Sequence, residues 1–374
     1  VSICVKCRGR KFLCGLSKCP VVDRLRVYTI AWRYAARGEV YGSTPPAAVV
    51  GESGWPRVRV YIGEPPGVFG QEARRYDAPD ALWGLSLEEI TRLRSFLVFG
   101  VKTVSRPWDL GDLAYAAVSS SPVDVEMKLS KTPSLELRFD LFEKPMGPRA
   151  PLERVRVVGN PSIYPKLDRI IHDDVKAGDA VVELYKWGVD IYTIQRAMSL
   201  GLLGRQRRRR LVPTRWSITA VDTIVGDWLA QRVKYLDEVV EVLYGYGEYL
   251  DNSYLVIVAP GPLKFVYLER WVSSSDVTEV FVKEDLRGRR SLLDGGFEAA
   301  RVAVLEKLKA AGRRGTVAIV RKIGPGYYTS VGNWQIRETV RRIVLKPLDE
   351  QYGEYVKKVG VDPLGLIKRE GRLI

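Results

Sequence analysis

The stretch G-R-Q-R-R-R-R-L-V-P-T-R-W-S-I-T-A-V-D, Gly204 to Asp222, places Arg205, Arg207, Arg208, Arg209, Arg210 and Arg215 close together with no acid between them. A helix is expected directly afterwards, because Ile218, Val221, Ile224, Val225, Trp228 and Leu229 recur at helical spacing and would bury one face. Pro213 fixes the turn that leads in, and Thr214 or Ser217 can cap the first turn. Guanidinium groups beside the positive end of a helix make a phosphate-binding surface, since fork-shaped donors and free backbone N–H groups converge there. On this reading Arg207, Arg208, Arg209 and Arg210 supply charge, while Thr214, Arg215 and Ser217 position a phosphate. The alternative is a solvated arginine run that tethers two segments.

Composition points the same way. The 374 residues suffice for two or three domains, and 46% hydrophobic with 28% charged residues describes a globular chain. Lys and Arg total 59 against 44 Asp and Glu, a formal net charge of +15, which favours a polyanionic partner such as DNA. No apolar run approaches the roughly 20 residues that span a bilayer, and no apolar signal core stands near the N-terminus, so a cytoplasmic protein without a membrane partner is expected.

All four cysteines, Cys4, Cys7, Cys14 and Cys19, fall in the first nineteen residues as C-x2-C-x6-C-x4-C. Four thiolates so close together suit a tetrahedral structural Zn2+, with Cys4 and Cys7 forming a knuckle and Cys14 and Cys19 closing the site. Two disulfides or an iron–sulfur cluster are the alternatives. Lys6, Arg8, Arg10, Lys11 and Lys18 lie in the same segment without an acid, so the knuckle can also touch nucleic acid.

The string R-R-R-R-L-V-P-T-R-W-S-I-T-A-V-D, taken with this cysteine cluster, resembles the archaeal Nre family of DNA-repair proteins over nearly the whole chain. The resemblance implies a role in DNA repair. It also implies a C-terminal tail that docks on the sliding clamp, a glutamine followed by an aliphatic and an aromatic residue. The last residues here read K-R-E-G-R-L-I, and Gln351 is followed by Glu354 at the aliphatic position, so that motif is not seen. The resemblance divides the chain into a knuckle over 1–20, an N-terminal-type α/β core over 21–285 and a C-terminal-type domain with its tail over 286–374.

The fold expected is mixed α/β (α+β): the small zinc knuckle on a mixed-sheet core, a helical central segment and a smaller C-terminal α/β part. Strands are expected over 57–62, 254–259, 262–271, 278–282 and 315–323, and helices over 87–97 (capped by Ser86), 180–187, 190–200, 297–311 and 334–344. Segments 123–129 and 135–141 read as an antiparallel pair, and Lys144 to Pro151 as a linker or long surface loop. The helix pair broken at Gly188 has a helix-turn-helix as its less favoured alternative. A boundary is placed near Asp285, and the tail beyond Pro347 reads as charged and partly loose.

Two further patterns carry possible chemistry. The glycine-rich turn from Gly324 to Asn333 precedes a helix, a setting for anion binding, although it lacks the P-loop pattern; Asn333 would cap that helix, and Tyr327, Tyr328 and Trp334 would stack on bases or belong to the core. The single histidine, His172, stands beside Asp173 and Asp174. These three with Asp222 are the candidates for an enzyme acting on nucleic acid or a nucleotide, as a base or as ligands of Mg2+ or Mn2+, with Asp168 as a further ligand. Against this, adjacent acids do not face one way, and Asp173 and Asp174 can simply satisfy backbone donors. Asp222 lies two helical turns beyond Arg215 and would orient it. A third reading is an adaptor that recruits repair enzymes.

Overall fold

The computed structural model describes residues 3–136, 138–272, 277–283 and 294–371. It divides into two units, one of residues 1–221 with 329–331, the other of 222–328 with 332–374. The boundary expected near Asp285 lies outside the described residues.

The first unit opens with α1 (Ile3–Cys7) and α2 (Pro20–Ala35), followed by β1 (Glu39–Thr44), β2 (Ala48–Val50) and β3 (Val58–Glu64). Then come α3 (Pro79–Leu82), α4 (Leu87–Phe96), β4 (Val98–Val104), α5 (Asp112–Val118), β5 (Val123–Leu129) and β6 (Arg149–Val157). The six strands form one sheet in the order β1-β5-β6-β4-β3-β2, antiparallel except between β4 and β6. Period-two alternation in β5 sends Val123, Val125, Met127 and Leu129 inward. There Val125, Met127 and Leu129 meet Ala31 and Ala35 of α2. α4 starts as its sequence dictates: the Ser86 hydroxyl accepts from the Glu89 N–H at 3.2 Å while the Glu89 carboxylate accepts from the Ser86 N–H at 2.8 Å.

Two sequence expectations fail here. Segment 135–141 does not pair with β5, whose neighbours are β1 and β6; among the described residues no strand lies between Leu129 and Arg149. Instead, the Arg24 guanidinium on α2 gathers the carbonyls of Arg138, Asp140 and Glu143 at 2.8–3.0 Å and folds that segment onto α2. Nor is 144–151 a linker or surface loop. Gly147 and Pro148 are buried, Pro148 accepts from the Phe99 N–H at 2.8 Å, and β6 begins within the segment.

Three helices complete this unit: α6 (Pro165–His172), α7 (Ala177–Lys186) and α8 (Ile191–Ser199). Gly188, at φ +80°, makes the break after α7, and Asp190 caps α8 by accepting from the Thr193 N–H at 2.9 Å. α8 is buried along most of its length, at Ile191, Thr193, Ile194, Gln195, Ala197, Met198 and Ser199. It therefore presents no recognition face to a DNA groove. The helix expected after the arginines is α9 (Thr214–Val233), with Val221, Val225 and Leu229 buried as its period requires; the division between units falls within it.

The second unit adds β7 (Asp237–Glu238), β8 (Leu243–Tyr249), β9 (Asn252–Ala259), β10 (Lys264–Trp271), β11 (Val277–Lys283), α10 (Gly295–Ala311), β12 (Arg313–Arg314) and β13 (Thr316–Ile323). It closes with α11 (Trp334–Arg342), β14 (Lys346–Pro347), α12 (Tyr352–Val359) and α13 (Pro363–Gly371). Its main sheet runs β11-β10-β13-β9-β8-β14 and is antiparallel except for β10 and β13, while β7 and β12 form a short parallel pair. On one face Phe265 and Tyr267 pack edge-on against Phe297 of α10. On the other, Leu255, Ile257, Val266, Leu268, Ala318 and Val320 pack with Val359 of α12 and Leu366 of α13. The tail read as partly loose is thus a pair of helices packed on the sheet. The mixed α/β class stands; Cys4 and Cys7 lie one turn apart on α1, and the expected zinc knuckle is not shown among the described residues.

Candidate nucleic-acid interface

The arginine segment is fixed by backbone contacts before any of its side chains is offered to solvent. After α8 the chain turns at Gly201 (φ +70°), where a Cβ would stand 2.5 Å from Pro107 Cγ and 2.6 Å from the Arg210 carbonyl oxygen. Only glycine fits that approach. A 3-10 turn at Gln206–Arg208 follows. Its first N–H donates to the Asp174 carboxylate at 2.8 Å, and the Gln206 side-chain amide donates to the His172 carbonyl at 3.1 Å.

Arg209 completes the anchor. Its guanidinium donates to the carbonyls of Gly204 at 2.8 Å, Ile171 at 2.7 Å and Asp173 at 2.9 Å. Two of these acceptors stand at the C-terminal end of α6, where carbonyls lack helical partners and a cation is favoured. Partial burial draws the Arg209 pKa below the ordinary guanidinium value, opposed by the Asp174 charge. Arg209 is therefore a structural residue, unlike its neighbours.

Arg205, Arg207 and Arg208 are exposed, and among the described residues their side chains make no hydrogen bond or ion pair. Arg210 is exposed and donates to the Arg209 carbonyl, at 2.8 Å. The Arg215 side chain is 79% exposed and stands 3.8 Å from Glu52, a surface pair of little energetic weight. Thr214 and Ser217 do not stand ready for a phosphate. The Thr214 hydroxyl accepts from the Val50 N–H at 2.8 Å, and Ser217 is buried and donates to the Thr214 carbonyl at 3.0 Å.

Tryptophans that the sequence did not associate with the arginines are fastened to the same segment. Trp55 donates its indole N–H to the Leu211 carbonyl at 3.0 Å, and Trp108 follows the Pro107 that abuts Gly201. Trp216 sits in the first turn of α9 beside Arg215. Arg106 lies over the Trp108 ring at 5.3 Å. Of these, Trp216 stood in the quoted stretch; nothing in sequence linked Trp55 or Trp108 to it.

Of the catalytic candidates, His172, Asp173 and Asp174 stand together at the end of α6, while Asp222 is held by Arg337. His172 is exposed at the end of α6, its Nε2 3.8 Å from Asp168. Asp173 accepts from the Asp174 N–H at 2.8 Å, and Asp174 holds Gln206. Asp222 does not orient Arg215; it is fully buried in an ion pair with Arg337 of α11. In the glycine-rich turn, the Asp251 carboxylate accepts from the Gly326 N–H at 2.5 Å, and Tyr327, Tyr328 and Trp334 are buried, so they belong to the core and not to a base-stacking surface. Asn333 makes no side-chain cap to α11.

The four cysteines line one small cavity together with Gly9, Pro20, Val21, Phe139 and Leu141. Cys4 and Cys7 come from α1, and Cys19 is the residue that precedes α2. The Leu13 N–H, more than the opposing effect of burial, holds the Cys7 thiol below its usual pKa, helped by the N–H groups of Lys11, Gly9 and Phe12. This donor set suits a thiolate-binding metal. Among the described residues no group of three or more His, Cys, Asp or Glu is arranged to hold a metal ion.

Comparison with known proteins gives this arrangement a family. Residues 13–277 match the N-terminal region of archaeal Nre. The chain belongs to the archaeal Nre family. The C-terminal region of archaeal Nre matches residues 284–358. DNA repair protein NreA of Archaeoglobus fulgidus is 34% identical over 352 residues, covering 91% of this chain and 88% of the relative. DNA repair protein NreA of Haloferax volcanii is 32% identical over 366 residues, covering 91% and 87%. DNA repair protein NreB of Archaeoglobus fulgidus is 29% identical over 351 residues, again covering 91% and 87%. No solved structure matches this Nre chain significantly. No described helix is long and apolar enough to cross a membrane.

Proposed function

We propose that this Nre-family chain binds DNA phosphates through the arginine face of its first unit. The carrying observation is the division of labour within one run. Arg209 and Gln206 lock the backbone to α6, while Arg205, Arg207 and Arg208 are exposed and, among the described residues, without partners. Cations held on a fixed backbone yet unpaired lose little conformational freedom on meeting phosphates, and they release counterions from the polyanion. The relatives' description as DNA repair proteins supports the same reading. The four cysteines would hold a structural zinc ion that ties α1 to the start of α2; with its coordination filled by thiolates, such an ion supplies stability and not an activated water.

Binding to DNA across a salt series tests the phosphate reading. Replacing Arg205, Arg207 and Arg208 by Ala is expected to weaken binding to all sequences alike. It should also reduce the slope of log affinity against log salt by roughly 0.7–0.9 for each phosphate that is no longer neutralised. An unchanged affinity and slope in the folded triple variant would remove these arginines from the interface.

A further inference from the structure

We propose that the ligand of this face is single-stranded DNA, with unpaired bases stacked on Trp55, Trp108 and Trp216. The inference rests on the phosphate reading above and adds the state of the bases. These indoles are 50%, 58% and 44% exposed. Large aromatic surfaces left in water beside unpaired arginines mark a site that is completed by a partner.

Their placement makes them part of the arginine surface and not scattered rim residues. Each is fastened to the segment 201–216: Trp55 through its N–H to Leu211, Trp108 through Pro107 against Gly201, and Trp216 by its own position after Arg215. The indole N–H of Trp55 is already satisfied, so what remains to be covered is apolar ring. Arg106, over one face of the Trp108 ring and 3.6 Å from Asp109, adds a guanidinium to the same surface, and Arg57 and Arg59, both exposed, extend the charge beyond Trp55. Alternating cations and aromatic faces are the means by which proteins hold single strands without reading sequence.

Duplex DNA fits this surface less well. In a duplex the base faces cover one another, leaving no face for an indole, and base edges are read from the grooves by projecting polar side chains. α8 is buried, and the one amide side chain in the arginine run, Gln206, is committed to the His172 carbonyl. Phosphate contacts alone would serve a duplex; the tryptophans would then contribute nothing.

The test compares an oligothymidylate with a blunt duplex of equal length, using the full chain, fluorescence anisotropy and intrinsic tryptophan quenching. The wild type is expected to prefer the oligothymidylate and to be quenched by it. Trp108→Ala and Trp216→Ala should each weaken oligothymidylate binding about 5- to 150-fold with the salt slope and duplex affinity unchanged, and Trp55→Ala should weaken it at least as much. Trp108→Phe and Trp216→Phe should keep most of the affinity, which separates stacking from misfolding. Salt-dependent binding that favours duplex, or that survives the three alanine substitutions, overturns this inference and leaves the phosphate reading standing. Tighter binding to oligouridylate than to oligothymidylate overturns it in favour of RNA. Absence of salt-dependent binding to either DNA overturns the phosphate reading itself.

Discussion

Glu64, on the inward face of β3 opposite Val98, shows how a single residue can set the acid–base behaviour of the first unit. It is buried, and among the described residues neither carboxyl oxygen has a hydrogen-bond partner. Burial raises its pKa well above the ordinary carboxylate value, and the charge of Glu126 adds to the rise. Below its unfolded pKa of about 4.3 the carboxyl is neutral in both states and costs no ionisation. As the pH climbs, the unfolded chain releases the proton first, so stability falls until the raised folded pKa is passed. Glu64→Gln removes that titration. Its melting temperature should match the wild type near pH 4 and exceed it increasingly as the pH rises above that. Parallel melting profiles for the two proteins would show that Glu64 does not titrate as its burial demands. Residue roles of this kind are hard to read from sequence. The arginine run was visible, but the commitment of Arg209 was not, because its acceptors at Ile171 and Asp173 lie 38 and 36 residues away.

Elements were legible wherever their own period decided them and illegible where a distant side chain decided instead. β5, α4, α9, α10 and β13 follow from alternation, capping or helical spacing. The expected hairpin of 123–141 failed because its second segment surrenders its carbonyls to Arg24, more than a hundred residues earlier in the chain. α12 and α13 were overlooked because charged residues interrupt their short apolar stripes, Tyr352, Tyr355, Val356 and Val359 in α12 and Leu364, Leu366 and Ile367 in α13, which meet the sheet. Asp222 was misassigned for the same reason as Arg209: its partner, Arg337, stands 115 residues on, in α11. This fully buried pair joins α9 to α11, so removing one member leaves a desolvated charge. Asp222→Ala is expected to destabilise the protein by about 3–5 kcal/mol, read as a lower urea midpoint, whereas replacing both partners by apolar residues should recover much of the loss. A small effect of Asp222→Ala would mean that other groups compensate the Arg337 guanidinium.

Across the whole molecule, a charge of +15 coexists with a buried set of ion pairs in the second unit, so the excess must reside at the surface. Composition alone could announce a polyanionic partner, but not that exposed tryptophans would stand among the cations, since that juxtaposition arises only when the loop before β3 closes on the arginine segment. The cysteine segment is a different case: its spacing raises a thiolate-bound metal as an expectation, while its attachment to the rest of the chain required the fold. The cavity that the cysteines share is also walled by Val21 of α2 and by Phe139 and Leu141, from the segment that Arg24 folds onto α2. A metal binding only the folded arrangement would stabilise α1, α2 and that segment together, in proportion to the logarithm of its concentration over its dissociation constant. Stripping the full chain with a strong chelator should therefore lower its melting temperature by several degrees, with recovery on adding zinc, and Cys14→Ser should reproduce the loss while abolishing the response to zinc. If the chain melts at one temperature with and without chelator, the four thiols hold no structural ion, and the hydrophobic contacts around Val21 and Leu141 are sufficient to seat the N-terminal segment on their own.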